Sequence, residues 1–444
     1  MYNILIVDDE PLICQGLTNL LTSSGIHIQQ IYTALSGYEA LDYLRLESID
    51  LLITDIQMGS MNGIELMQQA KIIKPWVQVI VISAHETFQY AQQAMRLGAK
   101  DYLIKPLNSE QLLSSVRHLL LHMDKKEQVQ DEIIAQLVNN ESFRMKASQP
   151  DRDKLLVRLI QEENHVLRKS MVNELVSVYE TILRGPYFAI IKLLLRPNND
   201  RQRTMQDKRL LHYGALNIAA ELLDQQWAHC LFEDEEERIT IIMEWSEEKY
   251  GDSGVNQLNQ LEMIGRSLHH NIEKYLGLVS VVGISQIFRG IEFLNEAHMQ
   301  TEKALNWSRS FQDHYVFYFG DFRWSIVKDN EPNEAELAEQ NNFIVARCRE
   351  YIDQNYAQKG LTLNEIAQKN HVSPNYLSYL FKKISGYNLW EYVVKLRMEE
   401  SKRLLMQTDM RRYEIAERVG YESPEHFSKI FKKYFGVSPS EMKK

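Results

Sequence analysis

Four short apolar runs within the first 105 residues, at 4–7, 51–54, 77–82 and 102–104, each stop at a polar side chain with distinctive chemistry. Asp8 and Asp9 follow the first run, Asp55 the second, Ser83 the third and Lys105 the fourth. Runs this short and this apolar read as strands covered on both faces, and segments at 11–21, 36–47, 63–73 and 87–97 carry amphipathic helical spacing. Alternating strands and helices imply a doubly wound α/β domain with a parallel sheet, where the carboxyl ends of the strands collect at one edge. Asp8, Asp9, Asp55, Ser83 and Lys105 are therefore expected to meet there. Three clustered carboxylates repel one another unless a cation neutralises them, and hard oxygen donors suit Mg2+, which also accepts a phosphate oxygen. A carboxylate in such company can attack a phosphoryl group, with charge on the transferring oxygens met by metal, lysine and hydroxyl. A single acid after a strand would read as a solvated loop residue. Five suitable residues closing four separate runs are much harder to obtain by accident.

This constellation resembles the response-regulator receiver family over residues 1–121. The resemblance implies that Asp55 is the phosphoacceptor and that Asp9 ligates Mg2+ directly. It further implies that Asp8 contributes through water and that the backbone carbonyl of Gln57 completes the protein ligands. Ser83 would then sense the phosphoryl group by hydrogen bonding, and Lys105 would neutralise it. Tyr102 would be the aromatic that rotates inward when Ser83 is drawn toward the phosphate, and Lys105–Pro106 is expected to be cis. A sensor histidine kinase is the implied phosphodonor. The chain departs from the family at Gly59, where a proline is usual after Met58; that loosens the loop without removing chemistry.

The last hundred residues hold an internal near-repeat. Ile366-Ala367, Ser373-Pro374, Phe381-Lys382-Lys383 and Gly386 recur as Ile415-Ala416, Ser423-Pro424, Phe431-Lys432-Lys433 and Gly436, and only the turn before Ser-Pro differs, by one residue. Repeated spacing means a repeated structural unit, and each copy has the grammar of a helix-turn-helix. Ser373 and Ser423 are placed as N-caps with proline at the first helical position. Leu377, Leu380, Phe381 and Ile384 form the apolar face of one second helix, and Phe427, Ile430, Phe431 and Tyr434 that of the other. That leaves Asn375, Tyr376, Ser378, Tyr379 and Lys382 facing outward in the first copy, and Glu425, His426, Ser428, Lys429 and Lys432 in the second. A continuous helix from Leu389 to about Met406 joins the copies; at about 27 Å it could set the two second helices roughly one DNA turn, ~34 Å, apart.

Residues 341–444 resemble the AraC/XylS-type DNA-binding domain, most diagnostically from Ile415 through Pro439. The resemblance implies double-stranded promoter DNA as partner. Asn375, Ser378 and Tyr379 would face bases in one groove and Glu425, His426, Ser428 and Lys429 in the next, with Lys382 and Lys432 alongside. Charge agrees, because residues 341–444 carry 18 Lys and Arg against 12 Asp and Glu, whereas residues 1–106 carry 6 against 11.

Between the ends, residues 109–183 read as strongly helical, with Leu113, Val116, Leu120 and Met123 in 3-4 spacing. The receiver's last helix is expected to run outward, and 122–183 to form a helical linker that pairs with a second copy as a coiled coil in a homodimer. Residues 184–325 suggest an α+β, ferredoxin-like domain similar to degenerate GGDEF-like sensory domains. A diguanylate cyclase needs Gly-Gly at its hairpin. Here stand Glu233-Asp234-Glu235-Glu236-Glu237, read as a solvated turn, so no enzymatic role is expected. No apolar stretch is long enough to span a membrane, no signal peptide is visible, and Cys14, Cys230 and Cys348 lie far apart, which together suggest a cytoplasmic protein. The function expected is phosphorylation-controlled, sequence-specific transcriptional regulation. The alternative is a ligand-sensing transcription factor governed by the middle domain.

Overall fold

The computed structural model describes residues 2–59, 61–84, 94, 98–121, 150–179, 183, 185–196, 205–223, 229–251, 257–311, 313–322 and 334–443. Two compact units emerge, one from Met1–Leu120 with Ala335–Lys444, the other from Leu121–Glu334. Among the described residues no helix is long and apolar enough to cross a membrane.

In the first unit, β1 (Tyr2–Val7), β2 (Ile28–Ala34), β3 (Leu51–Asp55), β4 (Gln78–Ser83) and β5 (Asp101–Ile104) form one sheet in the order β2-β1-β3-β4-β5. Every pairing is parallel. β3 is buried along its whole length, as a central strand covered on both faces must be. Helices α1 (Pro11–Thr22), α2 (Gly37–Leu46) and α3 (Gly63–Ile73) cover the sheet. Ser36 caps α2 by accepting from the Glu39 amide, and Asn62 and Glu65 close a capping box on α3. The helix expected at 87–97 lies almost wholly outside the described residues. β2 was not among the expected strands. It is an edge strand with a half-exposed pattern, so it lacks the continuous apolar run that marks its neighbours.

Residues 109–121, the last helix of the expected receiver, are helical, with Leu112, Val116, Leu119 and Leu120 buried in the first unit and Arg117 donating to the Ser24 carbonyl at 3.0 Å. The coiled-coil segment at 122–149 lies outside the described residues.

The C-terminal part of this unit is all helical. It comprises α9 (Glu334–Asn355), α10 (Leu363–Asn370), α11 (Pro374–Ser385), α12 (Leu389–Gln407), α13 (Arg412–Arg418) and α14 (Pro424–Phe435), counting the middle-unit helices below as α4 to α8. Ser373 and Ser423 cap α11 and α14 by accepting from the Tyr376 and His426 amides. Gly386 and Gly436 end those helices at φ +74° and +79°, the left-handed geometry that favours glycine. The one-residue difference between the turns has a backbone cause. His371 takes the left-handed position in the first copy (φ 58°), whereas Gly420 does so in the second (φ 90°), after Val419 has already ended α13.

The middle unit is an α+β domain. Helices α4 (Pro150–Gln161) and α5 (His165–Tyr179) are separated by a break at 162–164, where the Asn164 side chain accepts from the Val166 amide, so the helical stretch is not continuous. There follow β6 (Tyr187–Arg196), α6 (Met205–Leu223), β7 (His229–Glu233), β8 (Ile239–Trp245), α7 (Gln257–Leu276), β9 (Val279–Ile284), β10 (Phe288–Arg289), α8 (Leu294–Trp307) and β11 (Val316–Tyr318). The sheet order is β11-β9-β6-β8-β7, with β10 pairing β6. The acidic hairpin is more than a solvated turn. Asp234 accepts from the Glu236 and Arg238 amides and, together with Glu302, holds the buried Lys192 ammonium at 2.9 and 2.7 Å.

Candidate functional site

At the carboxyl edge of the five-stranded sheet, carboxylate oxygens of Asp8, Asp9 and Asp55 all lie within 4.8 Å of one another. Parallel pairing of β1 with β3 sets the ends of those two strands side by side, which brings Asp8 and Asp9 next to Asp55. Asp8 and Asp55 are buried, while Asp9 is exposed. Lys105 reaches over from the end of β5, its Nζ 2.9 Å from Asp8 Oδ2 and 3.0 Å from Asp55 Oδ2. Burial alone would lower the Lys105 pKa, but hydrogen bonds and charge from Asp8 and Asp55 outweigh it and the ammonium is held above its ordinary value. Asp55 Oδ1 accepts from the Ile56 amide at 2.8 Å, so the backbone orients one oxygen and Lys105 the other.

Ser83 is buried at the end of β4, and the Lys105 amide donates to its carbonyl at 2.7 Å. Tyr102 is half-buried and packs on the receiver core. Gln57 sits exposed in the loop after Asp55, which lines a shallow pocket with Ile56, Met58, Gly59 and Asn62. The Lys105–Pro106 bond is cis. Gly63, at the start of α3, approaches so closely that a Cβ there would stand 2.0 Å from the Asp55 carbonyl oxygen. Three carboxylates facing one ammonium leave the pocket short of positive charge, and all of the acids offer hard oxygen donors. That donor set fits a divalent cation of the Mg2+ kind.

Sequence reasoning passed over Cys14. Its thiol points at the Asp8 and Ala34 carbonyls, and burial, reinforced by the Asp8 charge, pushes its pKa up to about 11. Only its place one helical turn into α1, behind Asp8, could have signalled it.

The two helix-turn-helix copies differ in what they present. On α11, Asn375, Ser378 and Tyr379 are half-buried and Lys382 is exposed, but Tyr376 is only 2% exposed and Ile384 is 38% exposed. The expected outward Tyr376 and inward Ile384 are thus exchanged. Tyr376 turns back to donate to Asn341 Oδ1 on α9 at 2.9 Å. On α14, Glu425, Lys429 and Lys432 are exposed and Ser428 is half-buried, its hydroxyl donating to the Pro424 carbonyl at 2.7 Å. His426 is buried rather than outward, and Tyr434, expected to be apolar core, is exposed. Both shifts follow from neighbours absent from a helical-wheel reading: α9 covers Tyr376, and the receiver covers His426.

Family models match residues 4–117 as a response regulator receiver domain and residues 366–444 as a helix-turn-helix domain. The uncharacterised transcriptional regulatory protein YesN of Bacillus subtilis is 24% identical over 447 residues, spanning 100% of this chain and 98% of that protein. Among solved structures, the C-terminal domain of AraT, a response regulator from Geobacillus stearothermophilus, is 43% identical over 22% of this chain and 83% of that chain, with a TM-score of 0.22. A response regulator receiver domain from Clostridium thermocellum is 31% identical over 28% of this chain and 98% of that one, with a TM-score of 0.26.

Proposed function

Because the chain is a two-component response regulator, a phosphorylation-controlled transcriptional regulator with an N-terminal receiver and a C-terminal AraC-type helix-turn-helix domain, we propose that Asp55 is its phosphoacceptor. The observation that carries this reading is the convergence of Asp8, Asp9 and Asp55 with Lys105 at one sheet edge. A carboxylate oxygen of Asp55 forms the new O–P bond as the P–N bond to a sensor kinase's phosphohistidine breaks, and the imidazole leaves with a proton. Asp8, Asp9, Asp55 and the Gln57 carbonyl would hold Mg2+, which when bound supplies charge stabilisation to the phosphoryl oxygens. Lys105 already holds its proton beside Asp55 and offers a second positive charge. Ser83 hydrogen-bonds the phosphoryl group, and Tyr102 follows it inward.

Downstream, α11 and α14 read double-stranded promoter DNA in successive major grooves. Asn375, Ser378, Tyr379, Glu425, His426, Ser428 and Lys429 take the base edges, and Lys382 and Lys432 the phosphates. Phosphorylation promotes a homodimer, which makes the second DNA contact effectively intramolecular. The middle unit serves as a degenerate GGDEF-like sensory or dimerising module in a cytoplasmic protein. Its β-α-β-β-α-β order and glycine-free hairpin support that assignment.

The test treats the full chain and Asp55→Ala with acetyl phosphate and Mg2+, measuring acyl phosphate on the protein and affinity for a DNA duplex. Phosphate on the wild type alone, with a matching rise in affinity, is the expected result. An equal rise in Asp55→Ala overturns the assignment.

A further inference from the structure

The two helix-turn-helix copies are near-repeats that differ in charge where their helices begin. Aligned on Ile366 and Ile415, α10 starts with Leu363 and α13 with Arg412. Aligned on the Ser-Pro starts, the second residue of α11 is Asn375 and that of α14 is Glu425. The second copy thus exchanges an apolar and a neutral polar side chain for a cation and an anion, and the fold brings those two together. Arg412 Nη2 donates to Glu425 Oε1 at 3.4 Å, and the Ser423 hydroxyl donates to Glu425 Oε2 at 3.2 Å. Ser423 is itself fixed by its capping role, its oxygen accepting from the His426 amide at 3.1 Å. One carboxylate is therefore bracketed in the first turn of α14, each oxygen tied to a different neighbour.

An acid carries a penalty there. The first turn of the second helix is the part that meets base edges, and a carboxylate approaching DNA is repelled by the phosphates. What it gains is selectivity, because an ionised carboxylate only accepts hydrogen bonds. In the major groove guanine offers two acceptors, thymine an acceptor and a methyl group, and adenine an acceptor beside its amino group. Cytosine offers a donor alone. A carboxylate held still therefore favours cytosine, provided that something offsets the phosphates. Arg412 is placed to do so. The first helix of such a unit crosses the DNA backbone, and a guanidinium has donors enough to face a phosphate and Glu425 together.

We propose that Arg412 is a positioning residue for base selection: it holds Glu425 against the repulsion of the phosphates and so makes α14 select cytosine at one position of its site. The inference rests on the reading of α14 as a DNA-contacting helix. In the free protein the two side chains are 49% and 66% exposed, and such pairs are individually weak. Docking on DNA removes water from around the pair and strengthens it. Its consequence lies in base preference rather than in fold stability, and both residues are surface groups whose replacement spares the core.

The experiment treats the full chain with acetyl phosphate and Mg2+ and lets wild type, Arg412→Ala, Arg412→Lys and Glu425→Gln each enrich duplexes from a random-sequence pool. Affinities are then measured for the enriched duplex and its single-base variants at several salt concentrations. The wild type is expected to prefer cytosine at one position by about tenfold. Glu425→Gln moves that preference to adenine, since glutamine pairs with both N6 and N7. Arg412→Ala loses the cytosine preference and keeps the preferences elsewhere, whereas Arg412→Lys, which keeps the charge without the fork, retains part of it. If Arg412→Ala instead weakens every duplex equally and lowers the salt slope by about 1, with cytosine still preferred, Arg412 is a phosphate contact only and the proposal falls. An unchanged preference in Glu425→Gln equally overturns it, while leaving α14 a DNA-contacting helix. A chain that enriches no duplex at all overturns the DNA reading itself.

Discussion

At the scale of single residues, the acidic pocket depends on close approaches that tolerate no added atoms. Gly63 is the tightest, because backbone rather than a flexible side chain stands where its Cβ would go. Gly63→Ala must push α3 away from the Asp55 carbonyl, and overpacking of this kind typically costs about 1–3 kcal/mol. The expected outcome is a lower denaturation midpoint and slower phosphorylation by acetyl phosphate; an unshifted midpoint would show that the backbone yields freely. Cys14 makes a chemical prediction from the same neighbourhood. Its pKa of about 11 leaves almost no thiolate at pH 8, and burial shields the sulfur. Folded protein treated with iodoacetamide at pH 8 should therefore keep Cys14 unmodified by peptide mass spectrometry, whereas urea-unfolded protein should react fully. Rapid native alkylation would contradict the packing of α1 behind Asp8.

At the scale of elements, what the sequence made legible was whatever repeats locally. The four apolar runs with polar terminators became β1, β3, β4 and β5 with Asp8, Asp55, Ser83 and Lys105 at or just beyond their ends, because a buried parallel strand advertises itself residue by residue. β2 escaped because an edge strand needs no such run. The Ser-Pro starts and glycine ends of α11 and α14 were legible for a similar reason, since caps are local chemistry. Gly386 and Gly436 allow a clean test, for neither has an atom within 4 Å of where a Cβ would stand. Alanine at either position should thus cost only the left-handed backbone penalty, about 1 kcal/mol each. Thermal unfolding should show two similar losses that add in the double variant; a loss several times larger at either site would mean that glycine serves packing there.

At the scale of the whole molecule, the sequence was mute where partners lie hundreds of residues apart. Nothing in the amphipathic pattern of 36–47 marks Glu39 as the partner of Lys429, and no helical wheel of α14 reveals that His426 faces Asp42. Such pairings leave no periodic trace, so nothing in the outward set assigned to α14 signalled that the receiver buries His426.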